Sequence, residues 1–180
     1  MTVYYFYYDA SALVKRYTQE LGSDKINFLF ANVPHGRLMC LILGAIEVLW
    51  VLVRKRNDSR LTNDDFRQAG INLDYEVIDN QSGFRTIPVP NSLIWRSMDL
   101  IEIHSLNSVD AIVLRSALDI AAGCRDTNDE LVLVASDQRL LRAASSEELL
   151  VFNPEIHPEQ IGLPRHNLPG CRFQKFRLVL

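Results

Sequence analysis

Four carboxylates, Asp9, Glu47, Asp110 and Asp137, stand where acids can work together. Asp9 ends the run Val3-Tyr4-Tyr5-Phe6-Tyr7-Tyr8, and Asp137 closely follows Leu131-Val132-Leu133-Val134-Ala135. Glu47 and Asp110 fall in the first turns of two predicted helices. Helix starts that follow parallel strands face one edge of the sheet, so the four side chains can converge. The structural role for such acids is plain: Asp9 suits an N-cap, and Asp110 and Asp137 gain roughly 0.3–1 kcal/mol from a helix dipole. Glu47 resists that explanation. Its helical neighbours are Leu43, Gly44, Trp50 and Val51, with no Lys or Arg in reach. A buried carboxylate there needs a cation or a solvent-filled cleft. A metal satisfies the need, and hard oxygen donors without His or Cys point to Mg²⁺ or Mn²⁺.

The elements that position these acids follow from periodicity. Six aromatic or β-branched residues from Val3 to Tyr8 predict a strand covered on both faces, and a helix begins at Ala10. A short helix is expected over Ser23–Ala31, capped by Ser23, then a strand within Arg37–Leu43. Residues 44–56 predict a helix apolar almost all round, hence buried, ending in Arg54-Lys55-Arg56. Thr62-Asn63-Asp64-Asp65 resembles a capping box opening a helix to about Ile78. Phe84–Val89 predicts a strand, Ser92–His104 a helix, and Asn107-Ser108 caps a helix over Val109–Ala122. A helix over Gln138–Ser145 and a last strand over Leu149–Phe152 complete the pattern. Strands alternating with helices, without hairpin turns, predict an α/β fold: a three-layer sandwich with a mostly parallel central sheet flanked by helices.

Length and composition set limits. The 180 residues, 48% hydrophobic, suffice for one domain with a sizeable core. One α/β domain is expected over 1–155 and a basic, Pro-containing tail over 156–180. The tail's last 16 residues hold Arg165, Arg172, Lys175 and Arg177 and no acid. Its partly alternating end suggests packing, dimerisation or partner contact. The net charge of −3 argues against nucleic-acid binding by bulk electrostatics. Cys40, Cys124 and Cys171 lack partner spacing and are expected to be reduced thiols. Met1-Thr2-Val3 has no basic n-region, and Leu38–Val53 is interrupted by Glu47, so a cytoplasmic protein without a membrane span is expected.

The chain resembles the PIN domain family, and within it the VapC-type toxins. The resemblance rests on Tyr8-Asp9-Ala10-Ser11-Ala12-Leu13-Val14-Lys15, Ile46-Glu47-Val48-Leu49, and Asp110-Ala111-Ile112 ahead of Ser116-Ala117. Its most specific part is Ala135-Ser136-Asp137-Gln138-Arg139-Leu140-Leu141-Arg142-Ala143-Ala144, closed by Val151-Phe152-Asn153-Pro154-Glu155. It implies a metal-dependent ribonuclease whose catalytic and metal-binding acids are Asp9, Glu47, Asp110 and Asp137, supported by Ser11 and Ser136. It further implies Mg²⁺ or Mn²⁺ as cofactor, RNA as substrate, an antitoxin protein as partner and a homodimer. Ser136 stands where the family more often has Thr, and Gln138 and Arg139 supply no fifth acid. Candidate phosphate holders are Lys15, Arg16, Arg115, Arg139 and Arg142. The alternative is a PIN-like module that binds RNA or protein without cutting. A haloacid-dehalogenase phosphatase would need Asp where Ser11 stands, and a Rossmann domain would need a Gly-rich turn after the first strand.

Overall fold

The computed structural model describes residues 2–79 and 81–156. Five strands form its sheet: β1 (Tyr4–Tyr8), β2 (Leu38–Leu41), β3 (Arg85–Ile87), β4 (Glu130–Val134) and β5 (Leu150–Phe152). They lie in the order β3-β2-β1-β4-β5, and every pairing is parallel. Successive connections run outward from β1 to β3, after which the chain returns to β4 on the other side of β1. The sheet therefore reverses winding between β1 and β4, which is where ligands bind in doubly wound folds.

The aromatic run of β1 explains its central place. Strand side chains alternate between faces, so Phe6 and Tyr8 enter one core and Tyr7 the other. The first core is closed by α1 (Ala10–Leu13), α2 (Ser23–Asn32), α3 (Ile42–Asn57) and α4 (Asn63–Leu73). The second is closed by α5 (Asn91–Arg96), α6 (Met98–His104), α7 (Ser108–Arg125) and α8 (Gln138–Ser146). This is the predicted three-layer α/β sandwich. The Tyr7 hydroxyl, buried in the second core, donates to Ser116 Oγ at 2.9 Å, as a buried polar group must find a partner.

Several local expectations change. The cap of α2 is Gly22, at φ 88°, while Ser23 Oγ donates to the Thr18 carbonyl in the preceding turn. Helix α3 begins directly after β2, so Glu47 lies in its second turn and not its first. Nor is α3 buried all round: Gly44, Ala45, Val48 and Leu52 face the core, but Ile42, Ile46, Leu49 and Trp50 are exposed. The expected helix to Ile78 stops at Leu73 and widens into a π turn over Asp74–Ile78. The helix expected over Ser92–His104 is two, divided at Ser97, whose hydroxyl donates to the Ile94 carbonyl and competes with the helical bond.

At the described C-terminus, residues 154–156 are bound back to the start of the chain. Lys15, 4% exposed, donates to Glu155 at 2.7 Å. Lys25 Nζ donates to the carbonyls of Pro154 and Ile156, each at 2.8 Å. A Cβ at Gly22 would stand 2.7 Å from the Pro154 carbonyl oxygen, so only glycine admits this crossing. The tail expected over 156–180 lies, beyond Ile156, outside the described residues, as does Cys171. Cys40 and Cys124 are free thiols. Among the described residues no helix is long and apolar enough to cross a membrane.

Candidate active site

The turn after β1 places Asp9 at the switch point. Its N–H donates to the Val134 carbonyl at 2.9 Å and carries the β1–β4 pairing one residue past the strand. Its side chain is also the N-cap of α1, accepting from Ser11 N at 3.0 Å and Ser11 Oγ at 2.5 Å. Capping and a chemical role are thus compatible in one residue. Asp9 is only 6% exposed. Burial raises its carboxyl above the usual range; the Ser11 bonds oppose this and the nearby Asp137 adds to it.

Ser11 joins the two sides of the switch point. Its hydroxyl donates to Asp9 Oδ2 and accepts from Ser136 N at 2.9 Å and Asp137 N at 3.3 Å. The turn after β4 is therefore hung on the turn after β1. Asp137 spends Oδ1 on capping α8, accepting from Arg139 N and Leu140 N at 2.8 and 2.9 Å. It is exposed. Ser136 Oγ, by contrast, is buried and has no hydrogen-bond partner.

Glu47 and Asp110 approach from the helices on opposite faces of the sheet. Burial, then Asp9 and then Asp110, raises the Glu47 carboxyl to about 7. Asp110 is raised to about 6 by burial, Asp9 and Asp137, with Arg139 opposing. Asn107 holds Asp110 in a reciprocal cap: Asp110 N donates to Asn107 Oδ1 at 2.9 Å, and Asn107 Nδ2 to Asp110 Oδ2 at 2.8 Å. These mutual influences bring all four predicted acids into one electrostatic cluster. Even Cys40, below it, is pushed up to about 12 by burial and Asp9.

Among the described residues, no three or more His, Cys, Asp or Glu side chains are placed to hold a metal ion as they stand. The donor set nevertheless has the chemistry of a hard-cation site: carboxylates that repel one another and a buried hydroxyl lacking a partner.

The candidate phosphate holders separate into two groups. Lys15 is buried against Glu155, and Arg16 is forked onto Glu76 and bonded to Asn27. Arg115 is occupied by Asp99 and the Arg96 carbonyl. Those three are structural. Arg139 and Arg142 are exposed on α8, and Arg139 acts on Asp110. The residue the sequence did not mark as part of the site is Asn107, although it was legible as a cap. Nothing local distinguishes a cap from a cap that aims a carboxylate.

The comparisons concern the family and the fold. Residues 6–146 match the family model described as PIN domain. A crystal structure of PAE2754 from Pyrobaculum aerophilum is similar at a TM-score of 0.55 and 22% identity. That match covers 86% of this chain and 92% of the other, and at this identity it speaks for the fold alone. No curated protein sequence matches the chain. With the family model spanning most of the sheet and the whole acidic cluster, the chain belongs to the PIN domain family.

Proposed function

We propose that this protein is an Mg²⁺- or Mn²⁺-dependent endoribonuclease and the toxin of a toxin–antitoxin pair. PIN domains are in general nucleases that act on RNA or DNA and use divalent metals, and the chain belongs to that family. The observation that supports a divalent ion here is the joint elevation of Glu47 and Asp110 around the buried Asp9, while RNA as substrate and the toxin role follow from the resemblance to the VapC-type toxins. Carboxylates crowded to this extent are costly unless a cation or proton joins them.

Asp9, Glu47, Asp110 and Asp137 would hold the ion, which supplies a water ionised near neutral pH and positive charge for the phosphate oxygens. Asp9 is the fixed member, pinned by Ser11 and walled from solvent. Glu47, held near 7, is poised to take a proton from the attacking water at a carboxylate oxygen. Asp110 is aimed by Asn107. Arg139 and Arg142 offer the exposed cations nearest in sequence to Asp137 for the phosphate backbone. Hydrolysis forms one bond from the water oxygen to phosphorus and breaks one phosphorus–oxygen ester bond; the leaving oxygen takes up a proton.

The test is cleavage of a pool of labelled single-stranded RNAs in Mn²⁺ and in chelator. Wild type should cut only with metal. Asp9→Asn and Glu47→Gln should each lose several kcal/mol of transition-state stabilisation, about 100–1,000-fold in rate. RNA left intact by wild type in Mg²⁺ and Mn²⁺ would favour the non-cutting binding module. For the toxin role, expression should arrest growth, Asp9→Asn should abolish the arrest, and a short reading frame directly upstream should encode the antidote.

A further inference from the structure

Glu47 is the first of three residues that run down one flank of α3. Trp50 and Arg54 follow it at steps of three and four residues, the spacing that stacks side chains in one column on a helix. Trp50 is 57% exposed, and the guanidinium of Arg54 lies over its ring, 4.7 Å from the centroid. The last turn of a helix favours any cation, which accounts for a basic residue at position 54. It does not account for a large apolar ring turned toward water.

The neighbouring cations show what is particular about Arg54. Lys55 is paired with Glu20 at 3.3 Å, Arg60 with Asp58 at 2.7 Å and Arg67 with Asp64 at 3.4 Å. Arg56 lies over Phe66 of α4 and donates to Asn57. Among the described residues Arg54 has neither an ion pair nor a side-chain hydrogen bond; it has only the ring. The ring orients the guanidinium and leaves all five N–H donors unspent. Of the exposed apolar residues of α3, Ile42, Ile46, Leu49 and Trp50, only Trp50 offers a flat surface and carries a cation.

We propose that Trp50 and Arg54 form a subsite for one unpaired nucleotide of an RNA strand, its base stacked on the indole and its phosphate held by the guanidinium. Seven residues at 1.5 Å each place Arg54 about 10 Å from Glu47 along the helix, roughly three nucleotides of a strand that advances 3.4 Å per nucleotide. Arg139 and Arg142 are exposed on α8, which packs on the opposite face of the sheet from α3. The strand then crosses the carboxyl edge with cations on both sides of the acidic cluster, which offset the repulsion between acids and phosphates. An indole stacks on a base that has left its duplex, so the subsite selects single strands. It also sets the distance between the stacked base and the bond that is cut. This deepens the nuclease reading and rests on it for the course of the strand, but the stacking is measured without any cutting.

The experiment is a fluorescence titration of the full chain carrying Trp95→Phe, which leaves Trp50 as its one tryptophan. Short oligouridylate is added in chelator, where nothing is cut, and at low salt, where phosphate contacts count most. The single strand should quench Trp50, and its duplex with oligoadenylate should not. By anisotropy of labelled oligouridylate, Trp50→Ala should weaken binding about 5–150-fold, the worth of one stacked base, and Trp50→Phe should keep most of it. Arg54→Gln should weaken binding at low salt and lower the salt slope by about 0.7, the mark of one phosphate contact to a single strand. Ile42→Ala, on the exposed face but off the column, should bind as wild type does. In Mn²⁺, Trp50→Ala should raise KM and keep kcat within about twofold, as loss of uniform binding does. The proposal is overturned by an unquenched Trp50, by a duplex that quenches as strongly as the single strand, or by a Trp50→Ala that binds like wild type. An equal loss in Ile42→Ala, or a loss in kcat in place of KM, overturns it as well. Quenching without cutting fails the nuclease reading alone, and cutting with Trp50 unmoved fails the subsite alone.

Discussion

Asp110 and Glu47 show how a site can work against the fold that holds it. Their carboxyls sit at about 6 and about 7 in the folded protein, against about 4 in an unfolded chain. A raised folded value means the stability linked to the proton is fully present below the unfolded value. It is lost as pH rises through the folded value. Ionisation of Asp110 between pH 4 and 7 therefore destabilises the metal-free fold. Asp110→Asn removes that cost, so it should melt close to wild type at pH 5 and above it at pH 7.5, both in chelator. Millimolar Mn²⁺ should raise wild type more than the variant, since a ligand stabilises by its affinity for the native state. Equal melting of the two proteins at pH 7.5, or equal responses to Mn²⁺, would take Asp110 out of the cluster. At this scale the sequence was informative about residue type. Four acids in a chain of ordinary charge stood out because Glu47 had no cation within helical reach, whereas the burial of Asp9 and the exposure of Asp137 depended on neighbours far along the chain.

Elements rather than single residues decide which acids meet. The β1–α1 and β4–α8 turns are separated by over a hundred residues and are joined by one hydroxyl, that of Ser11. Ser11→Ala should leave Ser136 N without its partner and remove one of the two Ser11 bonds to Asp9 Oδ2, costing about 1–3 kcal/mol. It should also lower Mn²⁺ affinity about 10–100-fold, the range for groups that orient a ligand. Melts and a Mn²⁺ titration read both effects, and an unchanged titration would reduce Ser11 to a cap. The opposite face of α7 supplies a control. Asp119 is nine residues from Asp110, half a turn out of phase, and takes both terminal amines of Arg96 at 3.0 and 2.7 Å. Asp119→Asn should cost no more than about 1 kcal/mol, as exposed pairs do, and leave turnover unchanged. Loss of turnover in that folded variant would mean this face also serves the reaction. Periodicity located nearly every element. It failed where a side chain competed with the backbone, as at Ser97. It failed again at α3, where apolar composition implied burial but gave no account of which face the sheet and neighbouring helices would reach.

Over the whole molecule, residues 154–156 close onto the first helices, and Lys15 lies under that closure. Glu155→Gln should strand a buried ammonium, with Glu20 at 3.9 Å as the remaining acid. The expected loss is ~2–3 kcal/mol, below the ~3–5 kcal/mol for a buried charge left without any partner. Denaturant unfolding measures it, and Lys15→Met should cost less because nothing charged remains to be buried. Stability unchanged in Glu155→Gln would show that Glu20 alone balances Lys15. Lys15 had read as a candidate phosphate holder, and its reassignment marks the boundary between the two kinds of information. The sequence by itself determined the fold class, because hydrophobic period and strand–helix alternation are local and survive any arrangement of the elements. It also marked Asp9 and Asp137 for the carboxyl edge, because each closely follows a strand, β1 or β4, that runs parallel to its neighbours. Only the tertiary structure decided which of those acids are buried, which cations are already paired, and which face of α3 is left bare. Those properties are set by what lies within a few ångströms in space, and here the deciding neighbours, Val134 for Asp9, Glu155 for Lys15 and Ser11 for Ser136, are more than a hundred residues distant in the chain.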